Sequence, residues 1–283
     1  MPTRTTPTER QKRLGAELRR MRLAAGRTTE YAAGLLGLDR TKLSNMESGV
    51  RATSAERVQI LASNYECGNA DYVNALVDMA AFRKRGWWEQ YRGNLPQGLL
   101  DVAELEWFAE RLRTLQTVHV PGLLQLSGYA RAIFDSALPP LPKSEVELRV
   151  AQRMRRQQVL ERDEPMEYVA YVHELALRMH FGGRRAMREQ LQHLCEVSDR
   201  ENVTVRVLAA ETGAFPGAGH AVLYADGAVP QLDTVQLDSA HGGEFTHAEA
   251  QLAKYRAHMD WWHEKTLGQQ ESRDLIRTIA HEL

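Results

Sequence analysis

The sequence has no run of about 18 consecutive apolar residues, so it offers no transmembrane helix. Its first residues, MPTRTTPTERQKR, are polar and basic and hold no apolar core of a secretory signal. These two absences point to the cytoplasm. Cysteine is nearly missing: Cys67 and Cys195 are the only two, far apart, which suits reduced thiols better than a disulfide framework. There is no internal repeat, no low-complexity tract, and no GxSxG, phosphate-loop or dinucleotide-binding fingerprint. The one hint of a zinc motif, HELALRMH, spaces His173 and His180 seven apart instead of four, and His173 ends a predicted strand. His241, His247, His258 and His263 are dispersed and read as ordinary satisfied or surface side chains. With no acid, base, nucleophile or metal constellation, the chain is expected not to be an enzyme and to need no cofactor.

A strong charge of one sign is also missing, since the net charge is −1. That average conceals an asymmetry. Residues 1–60 carry 12 lysines and arginines against 6 acidic residues, a balance of +6, which leaves −7 for the rest. A basic head on an acidic body implies a polyanionic partner for the head alone. At 283 residues and 43% hydrophobic composition the chain is globular and long enough for two domains. The boundary is expected near RKRGWWEQYRG, giving 1–85 and 86–283.

In the head, Leu14, Leu18 and Met21 recur at helical spacing over Arg10–Ala25, and Gly26 ends that helix. Thr28 caps a short second helix, Thr29–Leu36, which Gly37 stops. Leu38 reads as a buried anchor and Asp39 as the cap of a third helix, with Leu43 and Met46 inward and Gly49 at its exit. Ser54 opens a fourth, Ala55–Tyr65, and a further helix expected from Asp71 to Arg85 could belong to either domain. The third helix turns Arg40, Thr41, Lys42, Ser44 and Asn45 outward. Arg40 can give two bonds to guanine, Asn45 can bond adenine, and the Thr41 methyl can touch thymine. Thr28, Thr29, Lys42, Ser44, Ser48 and Arg51 are candidates for phosphate contact.

Beyond the junction, helices are expected at Val102–Leu115, Ser127–Leu138, Ser144–Glu161, Arg185–Ser198, Ala248–Leu267 and Ser272–Leu283. Period-two alternation marks about four strands, in MEYVAYVHE, VTVRVL, HAVLYAD and LDTVQLD. The fold class is therefore mainly α, with an all-α N-terminal domain and an α+β C-terminal domain that has a small sheet. FPGAGH joins two strands and reads as a loop. Trp87, Trp88, Trp261 and Trp262 are either buried between helices or open to an interface or pocket, because adjacent tryptophans on a helix face different ways.

The run GRTTEYAAGLLGLDRTKLSNMESGVRATS resembles the helix-turn-helix of the xenobiotic-response-element and phage Cro/repressor family. Thr28, Glu30, Ala33 and Gly37, then Leu38, Leu43, Ser44, Met46, Glu47 and Gly49, match its pattern position by position. Ala32 and Gly34 depart from it, and Gly34 costs about 1 kcal/mol of helix stability relative to alanine. The resemblance implies a lambda-repressor-like fold in which Arg40, Thr41 and Asn45 face bases. GWWEQYRGNLP, TVHVPGLLQLSGYARAI, MREQLQHLCEVSDRENVTVRVL and ESRDLIRTIAHEL resemble the large domain that follows such a helix-turn-helix in actinobacterial regulators of the WhiJ type. That resemblance implies a transcription regulator with a small protein partner encoded nearby. Double-stranded DNA, no membrane, and a homodimer on a palindromic or repeated site complete the expectation, since one short helix reads only a few base pairs. The C-terminal domain would sense a small molecule or hold that partner. The rival reading is an antitoxin-like protein-binding module whose DNA binding serves autoregulation.

Overall fold

The structure, a computed structural model, describes residues 6–82, 84–239 and 242–283. The chain divides into two compact units, one up to Trp87 and one from Trp88 to Leu283. His241 lies outside the described residues.

The first unit is five helices: α1 (Glu9–Ala24), α2 (Thr29–Leu35), α3 (Arg40–Glu47), α4 (Ala55–Asn64) and α5 (Ala70–Ala81). Each begins at a polar residue whose side chain accepts an amide hydrogen from the first turn: Thr8, Thr28, Asp39, Ser54 and Asn69. At Thr8 the bond is reciprocal, for the Thr8 amide donates to Gln11 Oε1 at 3.0 Å. Leu18, Leu43, Met46, Val58, Leu61 and Leu76 form its fully buried interior. The fifth helix stops at Ala81, not Arg85, because Phe82 is already extended.

The second unit starts with a short 3-10 turn, Trp87–Tyr91, that spans the division, and then α6 (Gln97–Phe108). The segment after α6 is not the helical continuation that its leucine spacing suggests. It is strand β1 (Arg111–Gln116), which pairs in parallel with β2 (Glu167–His173) and antiparallel with β4 (Val222–Asp226). Between β1 and β2 come α7 (Ser127–Asp135) and α8 (Lys143–Arg156), and α9 (Glu174–Arg178) and α10 (Gly183–Val197) follow β2. A 3-10 turn, Gln157–Leu160, replaces the last turn of the longer helix expected there. β3 (Val203–Leu208) completes the parallel side, and β5 (Thr234–Ser239) and β6 (Gly242–Thr246) extend the antiparallel side. Two terminal helices, α11 (Glu249–Lys265) and α12 (Gln269–Glu282), end the chain. The sheet has six strands, in the order β3-β2-β1-β4-β5-β6. The four strands legible from alternation are there, and β1 and β6 are added to them.

Both faces of the sheet are covered, as a parallel half requires. Leu112, Tyr168, Ala170, Val205 and Leu223 enter one core with residues of α10 and α12 such as Leu191, Leu194 and Ile276. The alternate positions Leu115, Val169, Tyr171, Val222 and Tyr224 enter a second core with Leu252, Met259 and Trp262 of α11. No described helix is long and apolar enough to cross a membrane.

Candidate nucleic-acid interface

The third helix is built from its first residue outward. Asp39 is extended, at φ −81° and ψ 162°, and its Oδ1 accepts the Lys42 amide hydrogen at 2.7 Å. The Lys42 ammonium closes on the same carboxylate, also at 2.7 Å. The ammonium and the amide of Lys42 together hold the Asp39 carboxyl below the usual carboxylate range. Gly37, at φ +62°, turns the chain between α2 and α3, and the Leu38 amide donates to Ala33 O at 2.9 Å to finish α2. Leu38 itself is only half-buried, so the anchoring expected of it falls to Leu43 and Met46, at 0% and 1% exposure.

With those two side chains inward, Arg40, Thr41, Lys42 and Ser44 are exposed and Asn45 is half-buried beside them. Thr41, Ser44, Asn45 and the exposed Arg51 make no side-chain hydrogen bond among the described residues, which leaves their polar atoms available. Arg40 is engaged: its Nη1 lies 3.2 Å from Glu30 Oε1, with both side chains largely in solvent. That pair brings the first turn of α2, with Thr28 and Thr29, to the N-terminal end of α3. Thr28 Oγ1 accepts the Tyr31 amide hydrogen at 3.1 Å, and Thr29 is half-buried. Ser48 donates to Asn45 O at 3.2 Å, and the Arg51 amide donates to the same oxygen at 2.8 Å as the chain leaves the helix.

Two supports of this helix escape a reading of the outward face. Arg22 of α1 grips Glu47, the last residue of α3, through Nε at 2.6 Å and Nη2 at 3.0 Å, and both side chains are buried. Its Nη1 adds a bond to Arg27 O at 2.9 Å. The hydrogen bonds that Arg22 donates to the Glu47 carboxylate raise Arg22 above its ordinary value. The second support is close approach: a Cβ on Gly15 would stand 2.6 Å from the carbonyl oxygens of Met46 and Glu47, and one on Gly49 2.6 Å from the Lys12 amide nitrogen. The legible signal was the one acidic residue of α3, on its buried side and apart from the outward Arg40 and Lys42, with an arginine in the last turn of α1.

From the end of the first unit onward, burial divides the tryptophans. Trp88 lies inside at 2% exposure, its ring 6.2 Å from Trp107 and 6.1 Å from Phe108. Trp262 is fully buried, and its Nε1 donates to Pro216 O at 2.9 Å. Both are core residues, whereas Trp87 and Trp261 are half-buried. His173 ends β2 and caps α9, its Nδ1 accepting from the Leu175 amide at 3.1 Å, while Glu174 accepts from the Ala210 amide at 3.1 Å and from Arg178 at 2.7 Å. Among the described residues no group of three or more His, Cys, Asp or Glu side chains is arranged to hold a metal ion. Cys67 and Cys195 are both free and half-buried.

Residues 13–72 match a family model described as a helix-turn-helix domain, and residues 99–278 match one described as a domain of unknown function (DUF5753). No curated protein and no solved structure matches the chain.

Proposed function

Because the chain belongs to the DUF5753 family and carries a helix-turn-helix domain ahead of the family's own, we propose that it is a sequence-specific DNA-binding transcription regulator. The observation that carries the reading is the third helix. Its inner face is buried and clamped, while Thr41, Ser44 and Asn45 stand beside Arg40 with no competing partner. Freeing Arg40 from Glu30 costs less than about 1 kcal/mol, because an exposed ion pair is weak. A bidentate contact with guanine is worth about 1–3 kcal/mol, so the exchange favours DNA. The basic balance of residues 1–60 supports the phosphate contacts, for which Thr28, Thr29, Lys42, Ser44, Ser48 and Arg51 are the candidates. Lys42 reaches a phosphate only by leaving Asp39.

In this reading the chain is a binding protein, not an enzyme, and works as a homodimer so that two short helices read two half-sites. The C-terminal unit supplies the dimer contacts and a site for a signal. The likeness to WhiJ-type regulators supports a small protein partner encoded nearby.

The test is binding of the purified protein to its own upstream DNA and to random DNA of equal length, across a salt series. Arg40→Ala is expected to relax the preference at one base pair by about 1–3 kcal/mol, and Asn45→Ala to do so at another. Arg51→Ala weakens all sequences alike and reduces the salt slope by about one. Equal losses on specific and random DNA for all three variants would refute the division between base and phosphate contacts.

A further inference from the structure

We propose that the C-terminal unit binds a small organic monocarboxylate in the cavity between its sheet and α8, with the Arg153 guanidinium as the counter-ion. The proposal deepens the reading of this unit as a signal site and rests on it only for the consequence at DNA.

The cavity holds about 230 Å³ on the α6 and α8 side of β1 and β4. Two arginines of α8 line it, and they are treated differently. Arg156 is paired: its Nε and Nη2 meet the buried Glu106 carboxylate at 2.7 and 2.5 Å. Arg153 has no acidic partner among the described residues. Its Nη1 donates to Gln125 Oε1 at 2.7 Å, and its Nε is buried without an acceptor. Glu106 is already occupied, and Asp238, which also lines the cavity and favours the Arg153 charge from a distance, is exposed, accepts from Gln236 Nε2 at 2.8 Å and makes no ion pair with the guanidinium.

Arg153 is half-buried, and a guanidinium whose Nε meets neither water nor an acceptor is costly to keep without a use. Burial, followed by repulsion from Arg156, pushes Arg153 down to about 9, so it remains charged at neutral pH. Its setting is built to hold it. Gln125 is itself fixed by donating to Val120 O at 2.7 Å, the Phe134 ring lies 5.1 Å from the guanidinium, and a Cβ on Gly122 would crowd Nη1 at 3.3 Å.

The lining defines the ligand. Leu99, Val102, Leu123, Ile133 and Leu223 offer an apolar wall, which suits a hydrocarbon body. Gln116, Gln236 and His119 supply neutral hydrogen-bonding groups, because burial and the nearby Arg153 hold the imidazole below its ordinary value. One unpaired cation matches one negative charge; a phosphate dianion would need a second, and Arg156 is spent on Glu106. The volume falls below the roughly 300–1,000 Å³ of sites for drug-sized ligands, so the ligand is of metabolite size.

The experiment is calorimetric titration of the full chain in low chloride with benzoate and hexanoate, with benzyl alcohol, hexanol and inorganic phosphate as comparators. At least one carboxylate is expected to bind saturably, ~10-fold or more tightly than its alcohol and than phosphate. Arg153→Gln is expected to remove that advantage, and Ile133→Trp, which fills the cavity without touching the cation, to remove binding altogether. Arg40→Ala keeps it. Failure of both carboxylates to bind, alcohols binding equally well, or binding that survives Arg153→Gln overturns the site. Should Arg153→Gln not fold, binding that survives Ile133→Trp overturns it equally. Site-specific DNA binding is measured in the same samples. Its loss in the unmodified protein counts against the regulator alone, whereas its persistence without carboxylate binding counts against this cavity alone.

Discussion

A buried ion pair is dangerous to break from one side, and the Arg22–Glu47 clamp shows where that matters. Both side chains are about 8% exposed and meet through two bonds, so Glu47→Ala leaves an arginine charge buried without its partner. The expected cost is about 3–5 kcal/mol, read as a fall in the denaturation midpoint of the helix-turn-helix unit. Glu47→Gln keeps the shape and one acceptor and should lose less. Equal stability of wild type and Glu47→Ala would mean the pair contributes nothing to holding α3. At this scale the sequence was readable where chemistry is local. Asp39, Thr28 and Ser54 cap helices because a short polar side chain before a helical run finds its own amide. The engagement of Arg40 by Glu30 and of Arg22 by Glu47 joins residues of different helices, and spacing along the chain does not encode that.

At the scale of elements, the angle at which α3 is presented depends on two residues that carry no side chain. Gly15 lets α1 pass against the carbonyl oxygens of Met46 and Glu47, and Gly49 combines φ +75° with the backbone of Lys12. Gly15→Ala is expected to cost about 1–3 kcal/mol by overpacking and to weaken specific DNA binding while helix content by circular dichroism stays unchanged. A variant with wild-type DNA affinity and wild-type stability would remove Gly15 from the account. The same scale explains the missed strand. RLRTLQ spaces Leu112 and Leu115 by three after a helical run and contains good helix formers, so it reads as helix. In the fold it lies between β2 and β4, where Arg111 and Arg113 reach Asp226 at 3.1 and 2.7 Å, and this pairing overrides propensity. β6, GGEFT, has two glycines and little strand preference of its own, and pairing with β5 makes it a strand.

At the scale of the whole molecule, the two units should answer differently to acid. All ten histidines lie at or beyond position 119, so the helix-turn-helix unit has none. Burial lowers His119, His173, His193 and His258 from their ordinary values. Each therefore takes up its proton at a lower pH in the fold than in the unfolded chain, where protonation occurs near pH 6.5. Their stabilising effect is therefore complete above about pH 6.5 and is lost as pH falls below it, because the unfolded state then binds more protons. Calorimetry between pH 7 and pH 5 should show the transition of the C-terminal unit moving to lower temperature, with that of the helix-turn-helix unit nearly still. Parallel shifts in both transitions would exclude the histidines as the cause.

The sequence by itself determined the helix-turn-helix, the caps and turns around it, the outward set from Arg40 to Asn45, and the four strands with clean alternation. These rest on interactions within a few residues, whose periodicity the chain displays directly. Only the tertiary structure decided that Arg111–Gln116 is a strand at the centre of six, that Trp88 and Trp262 belong to the core, and that of the two cavity arginines Arg156 has a carboxylate partner and Arg153 has none among the described residues. A hint was present in α8, where Arg153 follows Val146 and Val150 on the inward stripe. Its meaning depended on which carboxylate would stand opposite. Glu106, 50 residues away, went to Arg156, and such a choice is made only when distant segments pack.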